Sequence, residues 1–167
     1  MSQNQTVSNT EQLDRILQGE WLVDGKVQAS AFALRRDETY LSVNRPSVSS
    51  FSDDVMDFIM RHPAYGSIGS VTACRVAEVN VGRVRDIRFQ LGNNLAEVFV
   101  EVEPRDNNYR SHAGIFTKCD GKNVKGGQES VVISNGKHFP AKAILQKVRY
   151  ALLQMAELKT LEFPLTK

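Results

Sequence analysis

The chain has 167 residues, 41% of them hydrophobic and 24% charged, with 21 basic against 19 acidic side chains. That length suits one domain with a core large enough to need no disulfide or metal staple, and the composition is neither disordered nor fibrous. A net charge of +2 leaves no global electrostatic argument for nucleic acid or an anionic membrane surface, so any anion binding must come from a local cluster.

Residues 1–9 are polar and aperiodic, which predicts a mobile tail, with residues 10–167 forming one α+β domain. Leu13, Ile16 and Leu17 lie at helical spacing after a capping Asn9 or Thr10 and before Gly19, which predicts a short first helix. WLVDGKVQ reads as a hairpin about Asp24-Gly25. VQASAFAL then reads as extended, and RRDET turns the chain into the strand-like YLSVNRP. Pro46 keeps Arg45 extended.

A second helix opens at Ser52 as N-cap, carries Asp53 and Asp54 in its first turn, buries Val55, Phe58 and Ile59, and stops at Pro63. Residues 68–81 and 87–91 alternate as strands. Gly92-Asn93-Asn94 turns the chain into a third strand with Ala96, Val98, Val100 and Val102 on one face. Period-two burial of this kind predicts an antiparallel meander with one wet side. HAGIFT is a further strand, CDGKNVKGGQES a long loop, and residues 130–133 a short strand before the Ser134-Asn135-Gly136 turn. The last element is a helix after Pro140. Its stripe of Ile144, Leu145, Val148, Leu152 and Met155 should lie on the sheet, with Lys142, Gln146, Lys147, Arg149 and Gln154 largely opposite. The fold class expected is α+β: an antiparallel meander with about three helices, the C-terminal one packed on the sheet.

Cys74 lies in an apolar strand-like run and reads as a buried free thiol, whereas Cys119 sits in the polar TKCDGK and reads as exposed. The start has neither a basic n-region nor an apolar h-region, and no run reaches the 18 or so apolar residues of a membrane span, so the expected location is the cytoplasm.

Neither GxxxxGK(S/T) nor GxGxxG occurs, so both nucleotide-loop fingerprints are out. His62, His112 and His138 are scattered, with no CxxC or HxxxH, and no metal or other cofactor is expected. Asp53-Asp54 is explained by helix capping, and Glu97, Glu101 and Glu103 by the wet face of a strand. Arg105, Arg110, Lys118, Lys122 and Lys125, interleaved with Tyr109 and Phe116, could bind phosphates with Tyr109 as a stacking surface, but the solvated-loop reading is preferred because Asp106, Asp120 and Glu129 dilute the charge. Phe163 and Leu165 remain as apolar positions without an assigned partner.

Two polar segments resist that structural account: Ser42, Asn44 and Arg45 in LSVNR, and Arg110, Ser111 and His112 in YRSHAGI. If the two meet, Arg45 and Arg110 could hold an anion by their planar forks, His112 could act as general acid or base, and Ser42 or Ser111 could orient the ligand. The order ASAF (29–32), LSVNR (41–45) and SHAGI (111–115) resembles a group of small uncharacterised bacterial proteins with Ser-x-Ala-Phe, Leu-Ser-Val-x-Arg and Ser-His-Ala-x-Ile elements. The resemblance spans residues 25–117 and singles out Ser30, Ser42, Arg45 and His112. It implies no mechanism, and it marks Gly114 as a place where relatives carry an acidic residue. Two functions are expected to compete. One is a protein that binds or processes a phosphate- or nucleotide-like anion; the other is a non-enzymatic partner of another bacterial protein, with an exposed apolar patch.

Overall fold

The computed structural model describes residues 6–65, 72–93, 95–105 and 108–163. Expectations for residues 1–5 and 68–71, for Asn94 and Asp106, and for Leu165 lie outside the described residues. In chain order the elements are β1 (Gln12–Ile16), β2 (Leu22–Val23), β3 (Lys26–Val27), β4 (Leu41–Asn44), α1 (Phe51–Arg61) and β5 (Thr72–Asn80). There follow α2 (Val81–Arg85), β6 (Arg88–Leu91), β7 (Ala96–Pro104), β8 (His112–Cys119), β9 (Lys122–Asn123), β10 (Ser130–Val132), β11 (His138–Pro140), α3 (Ala141–Met155) and β12 (Glu157–Phe163). The fold is α+β, as expected.

One antiparallel sheet runs β12-β5-β1-β4-β8-β7-β6, with β9 folded back on β8. Its centre is covered on both faces. On one face Leu13, Leu41, Val43, Val100 and Ile115 join Val148 and Leu152 of α3 in one buried cluster. On the other, Ile16, Cys74 and Val76 join Phe51, Val55 and Ile59 of α1. A third cluster gathers Val98, Cys119, Val124, Val131, Ile133 and Ile144.

Double coverage explains the largest departure from expectation. Residues 12–16 are a central strand and not a helix: Leu13 joins the α3-side cluster and Ile16 the α1-side cluster. A strand buried on both faces loses its period of two, and its apolar spacing then imitates a helix. The presumed tail is also partly core, since Val7 is 1% exposed and its carbonyl accepts from Arg85 Nη1 at 2.7 Å. Cys119 is buried and free, because it packs among Val98, Val124, Val131 and Ile144 instead of facing the polar Asp120-Gly121 turn (φ 52° and 77°) that follows it. Phe163 is buried on β12, an edge strand that periodicity did not reveal, and it packs in the α1-side cluster.

Local signals held where the chemistry is local. Asp24 and Gly25 take φ 51° and 74° between β2 and β3, as a type I′ hairpin requires. The ASAF segment is a 3-10 turn rather than an extended strand. Ser50, not Ser52, stands before α1, and its Oγ donates to Asp54 Oδ2 at 2.9 Å. Asn80 caps α2 by accepting from the Arg83 amide, and that short helix carries the chain from β5 to the far edge of the sheet.

Two glycines are required for space. A Cβ on Gly114 would lie 2.7 Å from the Tyr40 ring, so an acidic residue there would displace the tyrosine from the face of β8. A Cβ on Gly126 would fall 1.9 Å from the Arg35 carbonyl oxygen, where the two backbones exchange bonds from Gly126 N to Glu38 O and from Asp37 N to Gly126 O. Gly126→Ala should therefore cost about 1–3 kcal/mol in urea denaturation. Gly19→Ala, with nothing within 4 Å of its Cβ, should stay within about 0.5 kcal/mol. Equal midpoints for the two variants would overturn the packing argument.

Candidate functional site

The two singled-out segments do meet. β4 and β8 pair antiparallel with Ser42 opposite Gly114 and Asn44 opposite His112, which brings together Ser42 and His112, 70 residues apart in sequence. Alternation sends Leu41 and Val43 into the α3-side core and leaves Ser42 and Asn44 on the α1 side. There Ser42 Oγ lies 2.5 Å from His112 Nε2, a close side-chain hydrogen bond. Gly114 leaves room beside them for Tyr40, whose ring centroid is 5.9 Å from that of His112.

His112 is buried, at 7% exposure. Burial first, and the Arg105 charge second, push its pKa below the ordinary imidazole value of 6.5. At neutral pH the ring is therefore uncharged, and Nε2 can accept the Ser42 hydroxyl proton. Arg105 is held over Tyr40, 4.9 Å from guanidinium carbon to ring centroid.

The pair opens on a cleft of about 420 Å³ between α1 and the sheet. Arg15 forms part of its wall. Its Nε and Nη1 donate to the carbonyls of Ala31 and Ser42, both at 2.9 Å, and its guanidinium lies 4.6 Å from the Trp21 ring centroid. Burial lowers the Arg15 pKa to about 10, which still leaves it charged at neutral pH. Among the described residues no carboxylate forms an ion pair with it. Arg35 and Arg61 add positive charge at the rim, where Glu38 and Asp57 oppose them. Asp57 is already engaged, by Arg61 at 3.1 Å and by the Tyr109 hydroxyl at 2.8 Å. Phe58, His62 and Tyr65 supply an aromatic wall, with the Phe58 and His62 centroids 4.6 Å apart.

Three of the expected site residues stand elsewhere. Arg45 does not line the cleft: its Nε and Nη2 each donate to Glu11 at 2.9 Å, and both partners are nearly enclosed. Burial tends to raise the Glu11 pKa, but the bonds from Arg45, the Ser8 amide and Ser47 outweigh it and hold the carboxyl below its usual range. Ser111 is wholly buried and structural. Its amide donates to Asp54 Oδ2 at 2.9 Å, its hydroxyl to Asn44 Oδ1 at 3.2 Å, and its carbonyl accepts from the Arg45 amide. Arg110 is exposed and outside the lining. Ser30 lies in the 3-10 turn and is likewise absent from the lining.

Arg15 is absent from the expected site because the spacing of Leu13, Ile16 and Leu17 predicts a helix there, whereas it lies on a central strand. A basic residue amid the apolar positions of residues 13–17 was the one available signal. No group of three or more potential metal ligands occurs among the described residues. No helix among them is long and apolar enough to cross a membrane. No protein-family model, curated protein or solved structure matches the chain.

Proposed function

We propose that the protein binds a small phosphate- or nucleotide-like anion in the cleft beside Ser42 and His112, with the bacterial cytoplasm as its setting. The observation that carries this reading is the Ser42–His112 hydrogen bond beside Arg15, a half-buried guanidinium with no carboxylate partner among the described residues. An anion would give Arg15 a directly bonded countercharge, which Glu38, in the same cleft but outside ion-pair distance, does not. Arg35 would meet it from the rim, and the Phe58, His62 and Tyr65 wall offers a surface on which a planar base or ring could stack.

In the tautomer with its proton on Nε2, neutral His112 donates to the Ser42 oxygen and leaves the Ser42 O–H to donate to an anionic ligand, whereas the other tautomer accepts the Ser42 proton. The same pair suits proton abstraction from serine, which is the chemistry a processing enzyme would use. Binding is the primary claim; turnover is the extension that the Ser–His geometry permits. The rival reading, a non-enzymatic partner protein, expects a contiguous apolar patch. The large exposed apolar side chains available to such a patch among the described residues are Val23, Met60, Leu95, Val132, Tyr150 and Leu158.

A thermal-shift series with inorganic phosphate, AMP and ADP tests the proposal. A ligand at about a hundred times its Kd adds about 2.7 kcal/mol, which for a chain of this size raises Tm by roughly 5–10 °C. Ser42→Ala and Arg35→Gln should each lose at least half of that shift. Arg35 is exposed, so its replacement leaves the core intact. No shift with any of the three at millimolar concentration, or an undiminished shift in both variants, would remove the support for this site.

A further inference from the structure

A second cleft, of about 470 Å³, lies on the α3 side of the sheet, where alternation turns Leu41 away from the Ser42 site. Its apolar surface comes from Phe32, Leu41, Ile115 and Leu145. Lys142, Gln146 and Arg149 also line it, and at spacings of four, three and seven residues these share one face of α3. Sequence periodicity placed them opposite the core stripe; in the fold they border a hollow instead of bulk solvent. Arg149 is half-buried, and its Nε is enclosed with no hydrogen-bond acceptor. Lys142 adds a second cation, and Glu129 is the one carboxylate in the lining, so the charge there is net positive.

We infer that this cleft is a binding site for a small amphipathic anion, an alkyl or aryl carboxylate. The volume falls within the usual range for small-ligand pockets, and the combination of apolar walls with a few convergent polar groups is their usual chemistry. The Arg149 Nε is itself closed to solvent, so an incoming carboxylate meets the guanidinium at its terminal amino groups, with a charge-assisted bond and the Lys142 ammonium beside it. The apolar tail would cover Leu41, Ile115 and Leu145 while the head meets Arg149 and Lys142. A bare inorganic phosphate would leave those walls wet, which separates this ligand class from the one proposed for the Ser42 cleft.

Isothermal titration with decanoate, kept below its micellar concentration, is the test, with decanol as the uncharged comparison. Wild-type protein should bind decanoate saturably and at least tenfold more tightly than decanol. Arg149→Gln should weaken decanoate at least tenfold and decanol little. Replacement of the exposed Lys142 by Gln should weaken decanoate by a smaller factor. Leu145→Trp, which fills the cleft, should abolish both, whereas Ser42→Ala should change neither. Absence of saturable decanoate binding, equal affinity for decanoate and decanol, or unchanged decanoate affinity in both Arg149→Gln and Lys142→Gln would each overturn the inference.

Discussion

Stability should fall as pH rises from 6.5 to 8, by roughly 1 kcal/mol per pH unit, because Asp14 is protonated in the fold and ionised in the unfolded chain. Asp14 is 1% exposed on the central strand β1, cross-strand from Glu78 on β5 and from Asn44 on β4. Its Oδ1 is buried without a hydrogen-bond partner. Lys159 makes its ion pair with Glu78, at 2.5 Å, and its charge offsets only part of the rise at Asp14. Burial, reinforced by the neighbouring Glu78, pushes the Asp14 pKa up from 3.8 to about 8. Between those values the folded state holds a proton that the unfolded state has released. The stabilisation is therefore complete below the unfolded pKa and is lost as pH climbs through the folded one.

A single proton contributes at most about 1.4 kcal/mol per pH unit. His112 works in the opposite sense, since its folded pKa is lowered, but that contribution fades over about one pH unit above 6.5 as the unfolded imidazole loses its remaining proton, and it only blunts the decline there. The buried thiols have raised pKa values, Cys74 to about 12, so their effect begins only where unfolded thiols ionise, above pH 8. Urea midpoints at pH 6.5, 7.25 and 8 should therefore decline in wild type. Asp14→Asn, which resembles the protonated side chain in shape and charge, should flatten the decline. A rising wild-type profile, or the same slope in Asp14→Asn, would contradict the assignment.

The second large effect belongs to Arg45. Its side chain and that of Glu11 are 6% and 11% exposed, and Glu11 also receives the Ser8 amide and the Ser47 hydroxyl. Removing one member of a buried pair leaves the other charged and desolvated, so Arg45→Ala should lose about 3–5 kcal/mol. Replacing both members with apolar residues, as in Arg45→Met with Glu11→Leu, should recover much of that loss. The measurement is a double-mutant cycle by chemical denaturation, followed by the anion thermal-shift series on the double variant. Retained anion response there is expected, because neither residue lines the Ser42 cleft. An additive cycle, or a lost anion response in the stable double variant, would return Arg45 to the list of ligand-binding residues.

Much of the architecture was legible from residue order because its causes are local. The Asp24-Gly25 turn needs two residues that tolerate positive φ, and the chain supplies them. α3 carries a continuous apolar stripe, and β7 alternates Ala96, Val98, Val100 and Val102 against glutamates. The polar oddity of LSVNR and SHAGI was also visible, and it pointed to strands that do pair.

The roles within those segments were not legible. Which side of a strand each residue takes, and what waits there, depends on partners tens of residues away. Ser42 and His112 meet only because β4 and β8 pair in one register; a shift by one residue would send Ser42 into the core. Arg45 and Ser111 looked equally available for a ligand, yet Glu11 occupies the first, and Asp54 and Asn44 the second. Arg15 and Asp14 were hidden for a related reason: covering β1 on both faces erased the alternation that would have identified a strand. Sequence by itself determined the fold class, most turns and helices, and the two strands that carry the candidate site. Tertiary structure decided which polar side chains remain free for a ligand, because burial and ion pairing are properties of the assembled sheet and not of any one segment.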